Sequence, residues 1–476
     1  MRTALATKVE ASTGATPPVE SFESFFVRNV RRWPLLAGIG FAFLAIRALG
    51  GRAGAILLIA ASAVFLPLTL TRPELGLCAL VLNFVNEWDT YYKLQTYVPI
   101  SLPLLYDVAI ALGIWLTTAR TRDVGLGYPQ VTLLALYVAL VTLSVIVSPI
   151  PPKPGAASSM SVWQNFRTSF LIRPAIFLFV IFIVREPKTL HRILLALIIG
   201  HMFLMATGLS DILQKAGPAL YRVRGTVSAI NYLSYVCIVT ISIVIALFLY
   251  MKDSLSRYGL LALIVVTLLV SLRTLSRSGY YAFPFPLLYL GVRLARSPRT
   301  LLVAVGVGVL FYLLTPSGLE ERLAQVESLA TTDRYYLSRI ALRIALDYPL
   351  LGVGWQAYET VFPSYDVEHV FRKAKQPHSL FLAIAARSGF PALLVYVAMF
   401  GISFVQLVGV ERDYRRARET SAFGYYLAIG LQAALVGHFV FGLAGSYGDS
   451  YYGFFILALS FVLIRHHRRP GAELLR

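Results

Sequence analysis

Four arginines and one histidine carry most of the chemistry this chain can offer: Arg222, Arg224, Arg277, Arg334 and His378, all in stretches between or beside long apolar runs. Arginine suits phosphate, because its planar fork donates two parallel hydrogen bonds and stays charged at any relevant pH. Histidine titrates near neutrality and can act as a general base. Cations of this kind beside a base point to an anionic ligand whose chemistry involves a proton.

Each candidate has a plainer reading beside it. Tyr221-Arg222-Val223-Arg224-Gly225-Thr226 leads into an apolar run starting near 228, with Asn231 just inside it. Arginines at such an entrance can equally contact lipid headgroups. Thr274-Leu275-Ser276-Arg277-Ser278-Gly279 joins two apolar runs with almost no loop. Snorkelling of Arg273 and Arg277 would explain the charge there, but so tight a turn favours a ligand role for Arg277. On a 3.6-residue helix Leu337, Ala341, Ile344 and Tyr348 form one stripe with Arg334 at its edge, while Arg339 and Arg343 fall on the opposite face. Arg334 is therefore the one aimed inward. His378 stands in Gln376-Pro377-His378-Ser379-Leu380-Phe381-Leu382, where Pro377 favours a helix start. A lone histidine at a helix entrance is more often structural than catalytic.

Asp107 and Arg173 lie within roughly two turns of the ends of their apolar runs; charges there are functional suspects, and they can pair with each other or with the arginines. Asp366, Glu368 and His369 do not share one helical face, so no metal site is expected, and no cofactor. Gly352-Val353-Gly354 lacks the third glycine and the preceding strand of a dinucleotide fingerprint. There is no phosphate loop and no nucleophile elbow.

The elements that position these residues are membrane spans. Hydrophobic residues make up 57% of the chain and charged ones 14%, with a mean hydropathy of +0.69. A soluble domain cannot hide that much apolar surface. The net charge of +19 comes without an arginine-aromatic nucleic-acid module, so no nucleic-acid partner is expected. Cys78 and Cys237 both lie inside apolar runs and read as packing residues.

Apolar runs long enough for spans stand near 34–49, 53–70, 73–88, 102–118, 129–148, 169–184, 190–209, 228–250, 258–275, 278–294, 300–315, 390–409, 422–444 and 451–465. The short runs 73–88 and 451–465 can be re-entrant, which leaves about twelve to fourteen spans. The fold class is all-α, a polytopic helical bundle. Residues 1–30 read as a flexible cytosolic tail without a cleavable signal, 31–315 as the main bundle, 316–389 as a long structured periplasmic loop, and 390–476 as C-terminal spans and tail.

Basic residues select the orientation. Arg120 and Arg122, Arg185 to Arg192, Lys252 and Arg257, Arg293 to Arg299, Arg412 to Arg418, and Arg465 to Arg469 fall in every second loop. Placing them in the cytosol puts both termini there. The alternate loops, about 89–101, 149–168, 210–227, 276–277, 316–389 and 445–450, then face the other side. Positive charge is normally kept out of short translocated loops, which is what makes the five opening residues conspicuous. No fixed-period repeat is visible, against an inverted-repeat transporter.

In this order the pieces resemble the O-antigen ligase and polysaccharide polymerase superfamily of bacterial envelope proteins. The resemblance rests on Arg224-Gly225-Thr226 with Asn231, then Ser276-Arg277-Ser278-Gly279, then Arg334 with the run Asp347-Tyr348-Pro349-Leu350-Leu351-Gly352-Val353-Gly354, and closes with His378-Ser379-Leu380-Phe381-Leu382 and Gly389. Ser379 stands where the family commonly has asparagine, Ser338 where it has tryptophan, and Ile230 where proline often precedes the residue at Asn231.

The resemblance implies an integral inner-membrane glycosyltransferase working at the periplasmic face without a metal. It moves a glycan from undecaprenyl diphosphate to an acceptor hydroxyl, either on lipid A core or on another glycan. Arg224, Arg277 and Arg334 would hold the diphosphate, His378 would activate the hydroxyl, and Arg222, Asn231, Asp107 and Arg173 would support them. A ligase transfers a finished glycan, whereas a polymerase moves a growing chain onto the next lipid-linked repeat; the motifs serve both, with ligase slightly preferred. A transporter of small anions or bicarbonate is the alternative of another class, and it predicts charges near the bilayer midplane.

Overall fold

The computed structural model describes residues 20–30, 51–98, 101–118, 127–148, 166, 170–214, 222–294, 330–355, 357–371, 373–447 and 450–468. The expected spans at 34–49 and 300–315, and residues 316–329 of the expected long loop, lie outside them. In chain order the helices are α1 (Phe22–Val30), α2 (Gly51–Thr71), α3 (Pro73–Asn86), α4 (Leu102–Thr118), α5 (Pro129–Val147), α6 (Ile172–Ile183), α7 (Pro187–Gln214), α8 (Ile230–Tyr250), α9 (Ser254–Arg273), α10 (Arg277–Ala282), α11 (Pro284–Leu294), α12 (Ala330–Asp347), α13 (Tyr358–Tyr365), α14 (Leu380–Arg416), α15 (Phe423–Ala444) and α16 (Tyr451–Arg468), with a single helical turn at Trp88–Tyr91. No strand occurs among the described residues. Among the described residues seven helices are long and apolar enough to cross a membrane, and α3, α4 and α6 are shorter apolar ones. This bears out the all-α polytopic bundle, and each apolar run within the described residues coincides with a helix.

Burial separates the centre of the bundle from its rim. On α8 nearly every side chain from Tyr232 to Leu247 is buried, as it is along α16. By contrast α2, α4 and α9 leave Ile56, Val64, Trp115, Leu116, Val265 and Leu269 exposed, the apolar outer surface that a lipid solvent requires. Between lipid-embedded helices close packing replaces the hydrophobic drive. Glycines provide it where α15 meets α8: a Cβ on Gly430 would lie 2.7 Å from Ala246 Cβ, and one on Gly437 2.7 Å from Ile238 Cγ2.

Cross-chain contacts sort the loops into two ends. At one end Arg192 meets Glu74 at 3.4 Å, Arg415 donates to Arg293 O at 2.8 Å, His466 Nε2 lies 3.1 Å from Arg185 O, and the Lys252 N–H donates to Glu23 at 2.7 Å. At the other, Ser228 meets Glu87 at 2.7 Å, Tyr451 donates to Asp107 at 3.1 Å, Ser278 donates to Ala444 O at 2.7 Å, and Ser148 donates to Val353 O at 2.5 Å. The described basic loops gather at the first end and the alternate loops at the second.

The second end is organised around a break in α14. In an unbroken helix the Phe390 N–H would bond Ala386 O, and residue 391 would bond Arg387 O. Pro391 has no N–H to give, and Gly389 leaves helical geometry at φ 81, ψ 169. The chain after α12 satisfies the released groups. Phe390 N–H donates to Pro349 O at 2.8 Å, Val353 N–H to Ala386 O at 3.0 Å, and Gly354 N–H to Arg387 O at 2.9 Å. A small core of Leu337, Ile340, Ile344, Val353, Tyr358 and Phe362 against Ala385 and Ala386 fastens α12 and α13 to this junction. Helix α14 thus begins at Leu380, well before the expected span start at 390. Its N-cap is Ser379, whose hydroxyl accepts from Leu382 N, so Pro377 precedes the cap and is not the first helical residue. Serine and asparagine are comparable caps, which gives the serine at this position a physical equivalence.

The junction leaves no room for a methyl group. A Cβ on Gly389 would sit 2.2 Å from Leu350 O at a φ that L-residues rarely adopt, whereas one on Gly401 in the same helix meets nothing within 4 Å. Gly389→Ala is expected to cost about 2 kcal/mol or more and to lower the thermal unfolding midpoint in detergent, with Gly401→Ala unchanged or slightly raised. Equal midpoints for the two variants would rule out a tight junction.

Candidate active site

The segment bearing Arg222 and Arg224 is irregular backbone, held at several points. Val223 N–H donates to Arg273 O at 3.1 Å, and Arg222 Nε donates to Thr274 O at 3.0 Å. Both acceptors lie at the C-terminal end of α9, where helix carbonyls lack intrahelical partners. Gly225, at φ 61, donates its N–H to the buried Asp211 carboxylate at 3.0 Å. Ser228 donates its N–H and its hydroxyl to Glu87 at 2.6 and 2.7 Å. Arg224 is exposed between these anchors and Arg222 is half-buried.

Arg277 opens α10, and Ser276 caps that helix by accepting from Gly279 N. The same hydroxyl donates to Asn231 Oδ1 at 2.9 Å, so the Asn231 and Arg277 motifs are in direct contact. A Cβ on Gly279 would lie 2.7 Å from Ser234 Cβ, which brings α10 hard against α8. Ser278 ties α10 to the last residue of α15 through its 2.7 Å bond to Ala444 O.

The start of α14, which follows His378, packs on that same end of α15. Phe381 stacks on Phe439 with ring centroids 5.8 Å apart, and a Cβ on Gly442 would lie 3.3 Å from Leu380 Cδ2. The final turns of α15 are therefore a common support for the Arg277 turn and the His378 turn. Arg334 is half-buried on α12, while Arg339 and Arg343 are exposed. Burial pushes the His378 imidazole below its ordinary pKa, and the charges of Arg334 and Lys375 push it the same way. The ring is thus neutral at neutral pH and can accept a proton.

Asp107 and Arg173 both stand near Tyr451. Asp107 is buried and accepts from Tyr451 at 3.1 Å, and Arg173 lies within electrostatic reach of Tyr451 and Tyr232. Tyr232 follows Asn231, so this pair borders the arginine motifs through α8. Asp366 spends both carboxylate oxygens on the N–H groups of Val370 and Phe371, at 3.0 and 2.9 Å, and serves as a local turn former.

Residues 241–397 match the family model described as O-Antigen ligase. That match bears out the resemblance to the O-antigen ligase superfamily. The matched segment contains Arg277, Arg334 and His378, whereas Arg222, Arg224 and Asn231 precede it. Over it the chain is similar to a family of ligase- and polymerase-type membrane enzymes that handle lipid-linked glycans, in keeping with a multi-pass membrane protein. No curated protein matches the chain.

Sequence reasoning missed Glu87 and Asp211, which hold the arginine segment, and Arg387, described below. Glu87 and Asp211 are acids at the ends of apolar runs, and Arg387 is a charge inside one. Both are usable signals, since intramembrane or border charges require partners.

Because Arg334 disfavours the imidazolium, neutralising it raises the His378 pKa. If transfer needs neutral His378, the acid limb of the wild-type pH profile falls below 6.5, and in Arg334→Gln it moves upward toward that value. An unmoved limb would detach Arg334 from His378.

Proposed function

We propose that the chain transfers a glycan from a polyprenyl diphosphate of the undecaprenyl type to an acceptor hydroxyl at the extracytoplasmic face of the inner membrane. The observation that carries this reading is the placement of His378, with the charge of Arg334 acting on its imidazole, at the end of the bundle that also holds Arg222, Arg224 and Arg277. The acceptor oxygen attacks the anomeric carbon as its proton passes to a His378 ring nitrogen. The bond from that carbon to the phosphate oxygen breaks, and its electron pair leaves with the diphosphate. Preset guanidinium groups stabilise this developing charge without reorganisation. Direct displacement inverts the anomeric centre, so a product that retained configuration would exclude a single step.

Two observations disfavour a translocation path. The histidines deep in the spans are tied to hydroxyls: His201 to Thr267 at 2.9 Å, and His438 to Tyr235 and Tyr396 at 2.8 and 2.9 Å. The arginines in question gather at one end. Ligase and polymerase share the chemistry and differ in acceptor, with a ligase-like reaction the preferred one.

The experiment is the lipid-linked glycan profile of cells lacking the protein, by mass spectrometry. Long diphosphate-linked polymers accumulate for a ligase and single repeats for a polymerase, and an unchanged profile overturns the enzyme reading. In complemented cells Arg277→Lys is expected to lose about ten- to a hundredfold in transfer, since the bidentate fork is lost while the charge stays. Near-normal transfer would reduce Arg277 to an interface anchor. His378→Ala should slow transfer about 10²–10⁴-fold with donor binding intact, and loss of binding instead would make His378 a pocket wall.

A further inference from the structure

We infer that Arg387 is a positioning residue that sets the orientation of His378, a role that rests on His378 being the base proposed above. Arg387 lies in the first segment of α14, two residues before the break at Gly389. Its carbonyl accepts from Gly354 N–H at 2.9 Å. Its guanidinium lies over the rings of Trp355 and Tyr358, with centroids 4.9 and 5.8 Å away. From that stack Nη2 donates to the side-chain oxygen of Gln376.

Gln376 is two residues before His378. Its amide nitrogen donates onward to Glu359 Oε1 at 3.2 Å, so Gln376 is gripped from α14 on one side and α13 on the other. Between Gln376 and His378 stands Pro377, buried and fixed in φ. After His378 comes Ser379, fixed as the N-cap of α14. The backbone at His378 therefore has a clamped residue upstream, a rigid one next to it and a helix cap downstream. Arg387 is the part of this arrangement that reaches back along its own helix to hold the segment before it.

Guanidinium chemistry is needed for both halves of the task. Its flat face stacks on aromatic rings while its edge presents directional N–H donors. A lysine ammonium can lie over a ring but cannot keep that edge on the Gln376 amide. Arg387 also joins the two sequence blocks that the family resemblance placed apart: its backbone and ring contacts belong to the 349–358 run, and its hydrogen bond belongs to the His378 turn. The cations that act on the imidazole through charge are Arg334 and Lys375, so Arg387 works through geometry.

The test reads His378 itself, independently of substrate. Full-length protein labelled with ¹³C-histidine is placed in lipid nanodiscs and titrated by NMR, with the His378 signal assigned by its absence in His378→Gln. Arg387→Lys is expected to let the turn relax into solvent, so the His378 midpoint climbs toward 6.5. Gln376→Leu, which leaves the ring stack untouched and guards against misfolding of Arg387 variants, is expected to do the same. Arg343→Lys, on the exposed face of α12, leaves the midpoint where it is in wild type. A midpoint unmoved in both Arg387→Lys and Gln376→Leu overturns the positioning role. The lipid-linked glycan profile separates the two levels: a moved midpoint with impaired transfer in Arg387→Lys and Gln376→Leu supports the positioning role, wild-type transfer in both overturns it, and transfer retained in His378→Gln overturns His378 as base.

Discussion

The exchange of hydrogen bonds at the break in α14 is the constraint on which the rest of the site depends. A proline in a helix leaves a carbonyl without its donor, and in a membrane protein such a group must find one from the protein. Here the Pro349–Gly354 chain supplies two donors and takes one in return. That single junction fixes where α12 lies, hence Arg334, and where the first segment of α14 lies, hence His378. The placement of Arg334 and His378 thus follows from backbone satisfaction at one junction.

The other half of the site follows the same logic with different parts. The segment carrying Arg222 and Arg224 has no helix of its own, and its N–H groups are met by the carbonyl of Arg273 and the carboxylates of Asp211 and Glu87. Glu87 adopts a left-handed φ of 48, a strained conformation for a side-chain-bearing residue that turns its carboxylate toward Ser228. The acids thereby serve the backbone of the arginine segment.

Much of the architecture was legible in the sequence. Hydropathy located the helices because lipid imposes a length and a composition, and the basic loops sorted the ends because the alternation extends over the whole chain. The periodicity around Leu337 and Ile344 separated Arg334 from Arg339 and Arg343, since a helix at a surface has only one apolar stripe. The start of α14 was not legible: Arg387 interrupts the apolar run, and Gly389 with Pro391 imitates a boundary, although both are interior to the helix. Nor was the clasp of Glu87 on Ser228, a bond spanning 141 positions that leaves no local pattern. That Asp107 and Arg173 both stand near Tyr451 leaves no local pattern either, since the three residues are far apart in the chain.

The paired backbone groups at 353–354 and 386–387 also close the intervening chain into a ring of peptide that contains α13 and His378. Loop-closure entropy grows only with the logarithm of length, about 0.6 kcal/mol for each doubling. Within that ring the exposed stretch around Val367 to Val370 can therefore lengthen at little thermodynamic cost, while the backbone bonds that close it stay in place. A fold built this way can vary what surrounds the histidine without rebuilding the bundle beneath it.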